Sequence, residues 1–229
     1  MYSQYDEERH ILSTLSHGQA GKFLDIGAFH PTQLSNTRAL YELGWTGVLI
    51  EPSPGPFLNL VRACSYCGHV PPEALMCERE TTCSNCHTTP TIRYGNDPRL
   101  HLINAAVGTS PSLIKLHCTN MPTTTSDVNT HRIWAGDNQY LGTYYIQQIT
   151  LDTIFHQFGN FNFISIDAEG SSVSILFHLY SMIPGMASRD VPTCICVEHD
   201  NRIVEIMNRI QTHYRADYIN GTNLVLARR

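Results

Sequence analysis

The chain has 229 residues, 42% of them hydrophobic and 15% charged, with a net charge of −5. That length suits one domain with a real core and a small insert. No apolar run approaches the roughly 18 residues a membrane span needs, and the acidic balance argues against a general electrostatic grip on nucleic acid. Met1 to His10 is polar and acidic, so no secretory signal is expected and a cytoplasmic, reducing setting follows. Lysine occurs only at Lys22 and Lys115, which limits any chemistry that needs paired lysines.

In chain order, Tyr2 to Ser16 reads as an opening helix with Ile11, Leu12 and Leu15 on one face. Lys22 to Gly27 is a first strand. Ser35-Asn36-Thr37 caps a helix that runs to Leu43 and stops at Gly44. Trp45 to Ile50 is a second strand, and Pro56 to Ala63 a second helix. Cys64 to Pro98 loses periodicity. It returns at Leu100 to Val107, a third strand. Ser112 to Cys118 and Thr143 to Thr150 alternate as a strand pair, joined by a long loop from Asn120 to Gly142 that carries Trp134 and Tyr140. Leu151 to Phe158 is a short helix and Phe161 to Asp167 a strand. Val173, Leu176, Phe177 and Tyr180 then mark a helix, and Thr193 to Glu198 a strand. Ile203, Ile206, Met207 and Ile210 mark the last helix, and Tyr218 to Ala227 a final strand with a turn or bulge at Asn220-Gly221. This alternation predicts an α/β fold with a doubly wound, largely parallel sheet.

Three apolar runs end abruptly in carboxylates. Phe23-Leu24-Asp25-Ile26-Gly27-Ala28 is followed by Val48-Leu49-Ile50-Glu51-Pro52, and Phe163-Ile164-Ser165-Ile166-Asp167-Ala168-Glu169-Gly170 comes later. Acidic residues at the C-terminal ends of parallel strands sit where open α/β sheets bind ligands. Glu51 stands 26 residues after Asp25, a spacing suited to a carboxylate that accepts the hydroxyls of a ribose. Asp25 suits a cationic amine. A Gly-x-Gly-x-x-Gly fingerprint is missing, which weighs against NAD. S-adenosylmethionine fits instead: it carries a ribose and an amine, and no phosphate that needs a glycine cradle.

With Tyr2-Ser3-Gln4, Ser35-Asn36-Thr37, Gly44-Trp45-Thr46-Gly47, Asn104-Ala105-Ala106-Val107-Gly108, Thr150-Leu151-Asp152 and Val197-Glu198, these motifs form an ordered set. The chain resembles the FkbM-type S-adenosylmethionine-dependent methyltransferases. The resemblance implies a Rossmann-like methyltransferase sheet and O-methylation. It places Asp25 and Gly27 near the methionine part of the cofactor, Glu51 at the ribose, and the backbone of Asn104 and Ala105 along the adenine. Ala28, Phe29, Asn36, Pro52 and Asp167 complete the expected cofactor set. Phe29-His30-Pro31 departs from the family's usual Asn or Asp followed by Gly. Ser165-Ile166 stands where the family often has a lysine before the acidic motif.

Methyl transfer to an alcohol needs an in-line nucleophile and a proton acceptor. The candidates gather at two strand ends: Asp167 and Glu169, then Glu198, His199 and Asp200. Asp167 is expected near the sulfonium or the acceptor, with Glu169 or His199 as the base. Asp167, Glu169 and His199 are also a possible oxygen- and nitrogen-ligand set for a Mg²⁺-like ion. The competing role for Glu169 is to favour the N-terminus of the helix that begins after it.

Cys64-x2-Cys67 and Cys83-x2-Cys86, separated by 15 residues, have the spacing of a four-thiolate structural zinc site. They define an insert over 64–98 between the methyltransferase segments 1–63 and 99–229. Cys118, Cys194 and Cys196 read as buried core thiols. The expected partner is a hydroxyl-bearing small molecule or glycan. RNA or cap ribose 2′-O-methylation is one alternative, and a non-catalytic zinc-stabilised binding module is another.

Overall fold

Short blocks of apolar residues, many β-branched, become strands whose two faces are both covered, which is the signature of a parallel sheet flanked by helices. The computed structural model describes residues 1–15, 20–63, 96–119, 124–125 and 140–229. In chain order the elements are α1 (Glu7–Leu15), β1 (Lys22–Ile26), α2 (Arg38–Glu42), β2 (Thr46–Ile50), α3 (Pro54–Arg62) and β3 (Leu100–Ile103). They continue with β4 (Ala106–Gly108), β5 (Ser112–Thr119), β6 (Thr124–Thr125), β7 (Tyr140–Thr150) and α4 (Leu151–Phe158). The last are β8 (Phe163–Ile166), α5 (Ser172–Met182), β9 (Cys194–Glu198), α6 (Ile203–Ile210), β10 (Tyr214–Ile219) and β11 (Asn223–Arg228).

The main sheet has seven strands in the order β10-β11-β9-β8-β1-β2-β3. The pairs from β9 through β3 are parallel, and β11 alone runs against its neighbours. This is a Rossmann-like doubly wound sheet with a reversed strand near one edge. The order turns back between β1 and β8, so the two acidic motifs end side by side.

Alternation along each strand divides the core in two. Leu24, Ile26, Val48, Ile50, Ile164 and Ile166 point to the side covered by α4, α5 and α6. Phe23, Leu49, Phe163, Cys194 and Cys196 point to the side covered by α1, α2 and α3. Cys194 and Cys196 are therefore buried free thiols, as expected, and burial pushes both well above the usual thiol range.

Several sequence boundaries shift for local reasons. The opening helix starts at Glu7, because Asp6 C=O accepts the N–H groups of Arg9 and His10 and the Ser3 hydroxyl takes that of Glu8. The third strand is two strands. β3 ends at Ile103, and β4 leaves for a second sheet of order β4-β7-β5-β6. β5 and β7 pair antiparallel as their alternation indicates. The expected loop from Asn120 to Gly142 is shorter, since β6 and the start of β7 lie within it. The final strand is a hairpin, β10 and β11, turning at Asn220-Gly221, where the Asn220 side chain accepts the N–H groups of Thr222 and Asn223.

Cys64, Cys67, Cys83 and Cys86 lie outside the described residues, as does Trp134. The chain re-enters at Asp97, which is buried and accepts hydrogen bonds from the Tyr41 hydroxyl at 2.6 Å and the Arg99 guanidinium at 2.9 Å. Among the described residues no helix is long and apolar enough to cross a membrane.

Glu7 is fully buried where α1 meets the hairpin, and its carboxylate accepts from the Asn220 and Asn223 amides at 2.7 and 2.8 Å and from the Tyr5 N–H. Glu7→Ala would orphan these donors. It is expected to cost about 2–3 kcal/mol in chemical denaturation, and Glu7→Gln less.

Candidate active site

The C-terminal edge of the parallel sheet opens into a cleft roofed by the second sheet. Its floor is Ile26, Gly27, Ile50, Glu51 and Asp167, and its roof includes Val107, Ile114, Leu116 and Gln148. The volume open to the centres of water molecules is about 130 Å³, several times what one water needs. The roof residues escaped the sequence reading. Alternation at Ile114 and Leu116 marks an apolar strand face, but says nothing of what that face covers.

Glu51 is 4% exposed and oriented by two backbone donors. Phe29 N–H reaches one carboxylate oxygen at 2.9 Å and Ser53 N–H the other at 2.7 Å. Phe29 adopts φ 39° to do so. The Ser53 side chain adds a third hydrogen bond to the same carboxylate. Burial raises the Glu51 carboxyl above its ordinary range, and the two N–H groups oppose the shift. Asn104 fixes the neighbouring loop by donating to the carbonyls of Glu51 at 2.8 Å and Pro52 at 3.2 Å. Its neighbour Ala105 lines the cleft, as does Pro52.

The loop after β1 departs from expectation. Gly27 and Ala28 spend their N–H groups on the Ile50 carbonyl, at 2.9 and 3.1 Å, rather than on a ligand. Gly27 is required instead by its neighbour: at φ +81° its Cα faces the Asp167 carbonyl, and an added Cβ would overlap that oxygen. Ala28 is buried in the core on the α1 side.

Asp25 does not line the cleft. It sits one residue below the edge on the α1 side and accepts the Thr37 hydroxyl at 2.5 Å. Thr37 therefore does not cap α2 with its own side chain, and Ser35 Oγ accepts the Arg38 N–H in its place. Burial lifts the Asp25 carboxyl to about 7. Asn36 is turned the same way. Its amide donates to Ser165 Oγ at 3.2 Å and lies 3.6 Å from Cys196 Sγ. Asp25 and Asn36 join α2 to the strand ends, and the charges of Asp167 and Glu51 reach Asp25 from the cleft.

Asp167 and Glu169 do line the cleft, and Glu198 stands beside them. One oxygen from each of the three lies within 4.8 Å of the others. Three carboxylates this close cannot all hold full charge. Desolvation raises the Asp167 carboxyl to about 6, against the hydrogen bond from Glu198, which lowers it. Desolvation, then the charges of Asp167 and Asp200, raise Glu198 to about 8, and its hydrogen bond to Asp167 adds to the shift. Burial, then Asp167, Glu198 and Asp200, lift Glu169 to about 9. Ser172 links the group, accepting the Ala168 N–H at 2.8 Å and donating to Glu198 at 3.3 Å.

His199 is not available as a base. It is 2% exposed. Nε2 lies 3.0 Å from the Asn220 carbonyl, which can only accept, and Nδ1 accepts the Asn201 N–H at 3.1 Å. Both ring nitrogens are committed to holding the loop after β9, and Glu198, not His199, stands with Asp167 and Glu169 in the possible ligand set.

A family model for the methyltransferase FkbM domain matches residues 25–211. The chain belongs to this family. It is a methyltransferase, and the matched span runs from the β1 carboxylate to the end of α6. Comparison with curated proteins and with solved structures gives no match.

The FkbM cleft makes stability depend on pH in a definite direction. Asp25 and Glu169 bind protons more tightly folded than unfolded, so the native state holds more protons between about pH 4 and 9. Their contribution is present in full below pH 4 and is lost as pH rises through 7 and then 9. The ligand-free protein is expected to resist urea better at mildly acidic than at mildly alkaline pH. Glu169→Gln, which mimics the protonated acid, should flatten the upper part of that profile; an unchanged slope would contradict the assignment.

Proposed function

We propose that this methyltransferase uses S-adenosylmethionine to methylate a hydroxyl on a sugar, glycan or small metabolite. The observation that carries the proposal is the Glu51 carboxylate, which lines the cleft and is pinned there by two backbone N–H groups. A ribose diol presents two donors to such a group. The apolar residues Val107, Ile114 and Leu116 above it suit the faces of an adenine. Asp167 and Glu169, further along the same cleft, favour a cationic ligand arm.

The cofactor supplies an electrophilic methyl on a positively charged sulfur. The oxygen–methyl bond forms as the methyl–sulfur bond breaks, and the bonding pair stays on sulfur. The hydroxyl proton must then leave. Of the three clustered acids Asp167, Glu169 and Glu198, Asp167 keeps its charge most readily, because the hydrogen bond from Glu198 favours its charged form. It is therefore the proton acceptor in this account. Glu169, protonated in the empty cleft, orients the acceptor until a cation displaces its proton.

RNA ribose methylation is the weaker alternative. Lys22 lies at the start of β1, at the opposite edge of the sheet, against the Phe158 carbonyl and the Phe161 ring. Lys115 is exposed and alternates with the cleft-facing Ile114 and Leu116, so it points away. Neither can serve beside Asp167. The spacing of Cys64, Cys67, Cys83 and Cys86 supports a structural zinc, a closed site that orders the insert and takes no part in the chemistry.

Calorimetric titration with S-adenosylmethionine tests the proposal. Stoichiometric binding is expected, weakened about tenfold or more in Glu51→Gln, which cannot accept two hydroxyls. The same preparation should carry about one zinc per chain by elemental analysis. No heat from folded, zinc-replete protein would sink the cofactor assignment.

A further inference from the structure

The charges around the cleft are one-sided. Glu51, Asp167 and Glu169 line it, and Glu198 stands within 4.8 Å of the latter two. Asp200, at the end of the same loop, adds to the field at Asp167. None of the described lining residues is a lysine, arginine or histidine. Three arginines are held elsewhere. Arg38 is bound to Glu42 at 2.8 Å, Arg99 to Asp97 at 2.9 Å, and Arg202 to Glu205 through two bonds of 2.8 Å. The walls are otherwise apolar, which strengthens every charge interaction inside.

A bound S-adenosylmethionine brings a single net positive charge into this field. As that cation displaces the Glu169 proton, Asp167 and Glu169 face one positive charge between them and the reacting end stays negative. The acceptor oxygen must come to the same place, because in-line transfer puts it against the departing methyl. An acceptor with a phosphate or carboxylate near that oxygen would meet like charge, and no cation among the described lining residues pairs with it.

Resting on the proposed cofactor and reaction, we infer that the cleft selects its acceptor by charge. It takes a hydroxyl whose surroundings are neutral or cationic, such as a free sugar, an aminosugar or an uncharged glycan. It excludes phosphorylated sugars, nucleotide-linked sugars whose phosphate adjoins the reacting oxygen, and polynucleotides.

The test uses adenosine as a common handle. Adenosine 5′-monophosphate places a dianion where the sulfonium arm would lie. The full chain is titrated with S-adenosylmethionine, adenosine and adenosine 5′-monophosphate at mildly alkaline pH and low salt. The first two should bind, and the monophosphate should bind at least tenfold more weakly than adenosine. That gap should narrow in Asp167→Asn with Glu169→Gln. It should also narrow in the wild-type protein as salt is raised toward about 1 M, which covers the case of a variant that folds poorly. Binding of the monophosphate within tenfold of adenosine, or a gap that neither the variant nor salt moves, would overturn the inference and leave the cofactor site standing. No binding of S-adenosylmethionine or adenosine would remove the cofactor reading and the inference with it.

Discussion

The site depends on how closely β1 can approach β8. Asp167 N–H donates to the Ile26 carbonyl at 2.9 Å, and the bare Cα of Gly27 lies against the Asp167 carbonyl. Only a residue without a Cβ fits there, and only glycine takes its φ of +81° at little cost. The contact brings the two acidic motifs of the sequence, 116 residues apart at Glu51 and Asp167, to one cleft. It also turns the chain so that Phe29 N–H meets Glu51. Glycine in this loop thus serves strand packing first and the ligand indirectly.

A second constraint is electrostatic. Carboxyls at the strand ends are stable together only because they share protons. Glu198 gives Asp167 a hydrogen bond and lets it keep its charge, while Glu169 remains protonated. The arrangement costs stability at high pH but prepares the cleft for a cation. A lysine among them would settle the charge permanently and weaken that preference. Serine at 165 instead engages the Asn36 amide at 3.2 Å.

Much of this was legible in the sequence. Apolar runs ending in carboxylates located β1, β2 and β8, because buried parallel strands have few other ways to stop. Glu51, Asp167 and Glu169 fall in the cleft where the strand ends placed them. Asp25 did not follow, because a one-residue step along a strand reverses the side chain, and its hydroxyl partner Thr37 lies on the other face. His199 looked like a base by type and position. Its doubly hydrogen-bonded ring depends on the hairpin turn at Asn220, which the sequence reading had merged into one strand. The roof was invisible for a similar reason. Ala106 to Gly108 continues the apolar run of β3 without a break in composition, so nothing local announced that the chain leaves one sheet for another.

The central claim is that the cofactor lies between Glu51 and the roof of the second sheet, with its reacting end toward Asp167. A crystal structure of the protein with S-adenosylhomocysteine tests it most directly. The account requires both ribose hydroxyls on the Glu51 carboxylate, the adenine against Ile114 and Leu116, and the sulfur on the side of Asp167 and Glu169. A nucleoside bound elsewhere, or a ribose that leaves Glu51 untouched, would contradict it.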